Sequence, residues 1–288
     1  MTQFIDLRLS AVGGELARTV AVNQGTNIGD YTGLSQNALL DSILGQNVLV
    51  ATHGFNVNRA DGISCLSNWA SLLQLPQSSA FVGLLWPGDS VWAHGLDYPN
   101  EALVANQAGG MAAEFINANF RQAASVSFAS HSLGARVVLS TISNLSLPVR
   151  RLLLMAPAID DDCLTTGFQT TAAKIGAISV LSSKKDEVLS VAFPLGNLFA
   201  GIIAEGHPWW RAALGHCGPA APWPANFQAP FAIPDNWNFE HGNYLQIDYP
   251  EPDRLPLPVN VPPQGSPSPP GNGWQEAFSS ALASTRFR

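Results

Sequence analysis

Ser130-His131-Ser132-Leu133-Gly134 is the segment of this sequence best suited to do chemistry. It joins an apolar run, Val126 to Ala129, that reads as a strand to a helical pattern over Leu133 to Leu145. A serine on a sharp strand-to-helix turn stands clear of both elements, and its Oγ can reach a carbonyl carbon. The turn needs small residues two positions before and two after the serine, because neighbouring backbone comes close there. Gly134 meets that need on one side, and on the other Ser130 replaces the usual glycine with the next smallest polar residue.

A serine hydroxyl is a weak nucleophile until a base takes its proton, and a third group must orient that base. Three histidines lie downstream. His207 precedes Pro208 and two tryptophans, His216 sits between Gly215 and Cys217, and His241 stands in Glu240-His241-Gly242-Asn243-Tyr244. The acids available are Asp186, which follows the apolar run Ile178 to Leu181, and Asp160, Asp161 and Asp162, which follow the run ending at Met155. His53 reads as a structural hydrogen-bonding residue rather than a second base.

Such groups must be carried by a rigid frame, and the hydrophobic pattern predicts one. Phe4 to Val12 and Thr19 to Asn23 read as opening strands with a turn at Gly13-Gly14. Val48 to Thr52, Ala80 to Trp86, Ser125 to Ala129, Arg151 to Met155 and Ile178 to Leu181 are short apolar runs of the kind buried on both faces of a sheet. Helices are expected over Ser64 to Leu75, Pro99 to Arg121 and Leu133 to Leu145. Strands alternating with helices predict an α/β architecture, a mainly parallel sheet flanked by helices. A single domain over residues 1–288 is expected. Fourteen of the 21 prolines lie from Pro219 to Pro270, so a Pro-rich C-terminal wrap is expected, with coil over about 250–273.

His53-Gly54-Phe55-Asn56, Trp86-Pro87 and His131-Ser132-Leu133-Gly134 together resemble the α/β-hydrolase superfamily. Within it they resemble an uncharacterised bacterial group that pairs these three motifs. The resemblance covers about residues 48–241. It implies a serine hydrolase with chain order serine, acid, histidine, and so Ser132 as nucleophile, Asp186 as acid and His241 as base, since His241 is similar to the family's late catalytic loop. It also implies an oxyanion hole from the backbone N–H groups of Phe55 and Leu133. Esterase or lipase-like cleavage of carboxylic esters is the expected activity. Amidase, thioesterase or acyltransferase chemistry would use the same parts, and a non-catalytic hydrolase-like binding domain is the alternative from another class.

Trp86, Tyr98 and Trp209 fall on loops or near strand ends and are expected to contact substrate, with about residues 188–235 as a cap or pocket-lining insertion. The ligand expected is a small ester or acyl compound. No phosphate loop, dinucleotide fingerprint or clustered metal ligands appear, so neither cofactor nor metal is expected. Charged residues are only 12% of the chain, lysines number three and the formal net charge is -7, which argues against nucleic acid as a partner. The apolar run Val188 to Ala204 is interrupted by Pro194, Gly196, Asn197 and Gly201, so no membrane span is expected. The N-terminus lacks the pattern of a secretory signal, and a cytoplasmic location is expected. Cys65, Cys163 and Cys217 read as buried free thiols in preference to a bridge between two of them.

Overall fold

The structure, a computed structural model, describes residues 1–13, 15–73, 75–89, 98–192, 212–228, 231–233, 235 and 239–244. Expectations for His207, Trp209, the Pro-rich segment 250–273 and part of the 188–235 insertion fall outside those residues. Among the described residues, nine strands form one sheet. They are β1 (Thr2–Arg8), β2 (Leu16–Gly25), β3 (Thr32–Gly33), β4 (Asn47–Thr52), β5 (Ser79–Leu85), β6 (Ser125–His131), β7 (Val149–Met155), β8 (Ile175–Ser182) and β9 (Phe231–Ala232). Their order across the sheet is β3-β2-β1-β5-β4-β6-β7-β8-β9. β1–β2 and β2–β3 are antiparallel, and every pairing from β1–β5 to β8–β9 is parallel. This is the α/β-hydrolase fold.

The helices are α1 (Gln36–Ile43), α2 (Arg59–Leu72), α3 (Tyr98–Asn119), α4 (Gly134–Ser143), α5 (Gln169–Ala172) and α6 (Leu214–Cys217). Parallel neighbours need crossovers, and α2, α3 and α4 supply them between β4, β5, β6 and β7. The central strands are therefore covered on both faces. Val48, Leu49, Val50, Phe128, Ala129, Leu152, Leu153 and Leu154 are all buried, in one core shared with Ile63 and Leu66 of α2 and Val137, Val138 and Leu139 of α4.

Besides the short α5 and α6, which were not expected, two helices depart from expectation for local reasons. α1 was not predicted; its first turn is capped by the Ser35 side chain, which accepts from the Ala38 N–H. α2 begins five residues before the expected Ser64, because the Asn58 side chain accepts from the Asp61 N–H and starts the helix there. The three cysteines form no disulfide; Cys65 and Cys163 are buried, as expected, whereas Cys217 is exposed at the end of α6. No described helix is long and apolar enough to cross a membrane.

Removing the α2 cap tests this account. Asn58→Ala is expected to cost about 1 kcal/mol and lower the thermal unfolding midpoint by about 2 to 4 °C for a chain of this size, as read by circular dichroism.

Candidate active site

β6 runs between β4 and β7, so the turn that ends it opens at the middle of the sheet's C-terminal edge. Ser132 occupies that turn with φ 52°, in the left-handed region that non-glycine residues rarely adopt. Backbone bonds hold it there. Its N–H donates to the Met155 carbonyl at 3.0 Å, and its carbonyl accepts from Ala135 at 3.1 Å and Ala158 at 3.2 Å.

Two glycines make room for the turn. A Cβ on Gly134 would lie 2.4 Å from the His53 carbonyl oxygen, and one on Gly54 would lie 2.7 Å from the Ser132 Cβ. The loop after β4 is thus packed directly on the elbow. At the position where glycine is usual, Ser130 is fully buried within β6.

The Ser132 hydroxyl lies 2.8 Å from His241 Nε2, and His241 Nδ1 lies 2.7 Å from Asp186 Oδ2. With Nδ1 protonated toward the carboxylate, Nε2 is left to accept the serine proton. Asp186 is fully buried, and its other oxygen accepts from the Leu189 N–H at 2.9 Å. Both carboxylate oxygens therefore have partners, as a buried charge requires. Asp186 stands in the loop after β8, while His241 opens a single 3-10 turn, His241–Asn243, closed by reciprocal bonds between Glu240 and Asn243. Ser183 ties these two segments together, because its hydroxyl donates to the Phe239 carbonyl at 2.6 Å.

One contributor escaped the sequence reading. His131, the neighbour of Ser132, donates from Nε2 to the His241 carbonyl at 2.8 Å, and its ring lies 4.8 Å from that of His241. Burial pushes the His131 pKa down to about 3, with the neighbouring His241 acting in the same direction. Tyr244 closes this side with its ring 5.9 Å from His131, and burial followed by the nearby Asp186 charge raises its phenol well above the usual range. The sequence placed His131 in the motif beside the serine but gave it no role, and nothing there named its partner 110 residues away.

Residues 35–200, more than half of the chain, match the family described as alpha/beta hydrolase of unknown function (DUF900). The chain belongs to this family. Ser132 and Asp186 fall within the matched stretch of this α/β hydrolase, and His241 lies beyond it. Aspergillus fumigatus lipase B is similar over 97% of this chain and 73% of its own, at 13% identity and a TM-score of 0.41. No curated protein matches the chain.

Ser132, Asp186 and His241 meet in this hydrolase, whereas the rival residues have other places. His216 lies in α6 and hydrogen-bonds neither Ser132 nor Asp186 among the described residues. Asp160 bridges to Ala213 and the Asp161 N–H donates to Ala212, while it is Asp186 whose carboxylate meets His241. Trp86, expected to touch substrate, is fully buried; its indole N–H donates to the His53 carbonyl at 3.0 Å and its ring stacks on His53 at 5.9 Å. It acts on the site through that loop. Tyr98 is the first residue of α3, and its side chain lies outside the described residues, as does Trp209. The backbone N–H groups of Phe55 and Leu133 take no part in the hydrogen bonds among the described residues. No cluster of three or more metal-ligating side chains occurs among them either.

His53 is a second fully buried imidazole, and burial lowers its pKa to about 3 as well. For both rings the folded state disfavours the proton, so the unfolded chain binds more protons as pH falls from about 6.5 toward 3. Stability is therefore expected to fall through that window, and His53→Gln should flatten the dependence, as followed by thermal unfolding at stepped pH. Gly134→Ala drives a methyl into the His53 carbonyl. It is expected to lower both the unfolding midpoint and any Ser132-dependent activity, a result that comparison with Gly110→Ala, where nothing lies within 4 Å, makes specific.

Proposed function

We propose that this α/β hydrolase cleaves carboxylic esters through an acyl-enzyme on Ser132. The observation that carries the reading is the continuous chain from the Ser132 hydroxyl through His241 to Asp186, with links of 2.8 and 2.7 Å. These lengths lie within the range for proton transfer between a nucleophile and its base.

In this reading His241 Nε2 removes the Ser132 proton as Oγ attacks the carbonyl carbon, and the developing imidazolium is stabilised by Asp186. The same Nε2–H then protonates the departing alkoxide, which leaves an acyl group on Oγ. Water then gives a proton to His241 Nε2 as it attacks that acyl carbon, and the Oγ–acyl bond breaks as Nε2–H returns the proton to Ser132, releasing the carboxylic acid. The tetrahedral oxyanion in both steps is received by the N–H groups of Phe55 and Leu133, which are spoken for by no other described group. Leu133 opens the helix behind the serine, and Phe55 lies in the loop whose Gly54 packs on the Ser132 Cβ. The substrate class in this reading is a small ester or acyl compound.

A fluorophosphonate probe should label wild-type protein at Ser132 and fail to label Ser132→Ala; a folded wild type that remains unlabelled overturns the reading. With a short-chain nitrophenyl ester, Ser132→Ala and His241→Ala should each lower kcat by roughly 10⁴-fold or more. His216→Ala should hydrolyse at the wild-type rate. A His216 variant as damaged as the His241 variant would reassign the base.

A further inference from the structure

Arg8, the last residue of β1, is a buried arginine whose side chain bonds four backbone carbonyls and one carboxylate. Its Nη1 donates to the carbonyls of Trp86 at 2.9 Å and Val57 at 3.0 Å. Its Nη2 donates to the Ala11 carbonyl at 3.2 Å and pairs with Asp89, while Nε reaches the Ser10 carbonyl at 3.3 Å. The second oxygen of Asp89 accepts from the Gly13 N–H at 3.0 Å. One planar fork thus binds three separate stretches, the exit of β1, the loop after β4 and the loop after β5, and a carboxylate offsets its charge.

Those stretches enclose Phe55. On one side the His53 carbonyl is held by the Trp86 indole, and Arg8 holds the Trp86 carbonyl. On the other, the Asn56 N–H donates to Gly88 at 2.7 Å, and Arg8 holds Val57. Asn56 itself has φ 57°, a left-handed residue that swings the chain sharply just after Phe55. Apart from the His53 Nδ1 bond to the Gly54 carbonyl at 2.9 Å, which lies within the loop itself, these tethers lead to the 86–89 loop or to Arg8. We propose that Arg8, neutralised by Asp89, is a positioning residue that sets the direction of the Phe55 N–H in the oxyanion hole. This rests on the acyl-enzyme reading for the purpose of the loop, but not for its geometry.

Lysine keeps the charge and cannot reproduce the fork, so it separates positioning from charge balance. For Arg8→Lys, kcat on a nitrophenyl ester is measured per fluorophosphonate-titrated site, together with KM, the unfolding midpoint and hydrogen exchange along the full chain. A displaced oxyanion donor lowers transition-state binding alone, so kcat per site should fall on the order of 10²-fold with KM nearly unchanged. Exchange should quicken in residues 53–57 while β6 and β7 keep wild-type protection. Wild-type kcat per site with only a lowered midpoint overturns the proposal, as does exchange that is unchanged or quickened equally across the sheet. If Arg8→Lys does not fold, Asp89→Asn, which loosens the fork without removing it, should show the same pattern in weaker form, and wild-type kcat and exchange in that variant overturn the proposal equally. A wild type that neither labels nor hydrolyses would sink the acyl-enzyme reading, and the exchange at 53–57 would still decide whether Arg8 holds the loop.

Discussion

A serine at φ 52° occupies a conformation that costs a non-glycine residue on the order of 1 to 3 kcal/mol, and it persists only where its surroundings over-determine it. The surroundings of Ser132 do so from three directions. β7 and the loop after it bond its N–H and carbonyl, α4 begins on the same carbonyl, and the loop after β4 fills the remaining side through glycines that admit its backbone. Each of these is the end of a central strand or the start of a crossover helix. The parallel core is therefore what holds the strained turn open.

Away from the elbow, the groups that approach Ser132 come from short irregular segments, held by polar tethers together with the buried side chains of Leu189, Phe239 and Tyr244. Asp186 is fixed through the Leu189 N–H, Ser183 joins the acid loop to Phe239, and Glu240 and Asn243 close the turn that presents His241. Segments without regular ladders must satisfy their backbone groups in this way. The described site is consequently a layer of hydrogen-bonded loops on a hydrocarbon-packed sheet.

How much of this was legible in the sequence follows the reach of the signal. The strand-turn-helix around Ser132 is local, and its flanking apolar runs gave β6 and α4 to within two or three residues. Asp186 and Asp160 to Asp162 all follow apolar strands, so the choice of Asp186, like that of His241, came from the resemblance more than from its own surroundings. The edge of the sheet was less readable: β3 and β9 are two residues long and carry no period. Least legible were contacts between distant residues. The Arg8–Asp89 pair spans 81 positions and the His131–His241 bond spans 110, and no pattern within either segment names its partner. Trp86 misled for the same reason, since a strand-end tryptophan looks available until a carbonyl 33 residues earlier takes its N–H.

The bond from His131 to the His241 carbonyl has a mechanical meaning. The residue that grips the imidazole segment is covalently next to the hydroxyl that the imidazole must meet. Any slide or tilt of β6 carries both together, so breathing of the sheet is common to the two groups and largely cancels in the gap between them. Their spacing is set by one side chain and one peptide unit instead of by the summed tolerances of a 110-residue path.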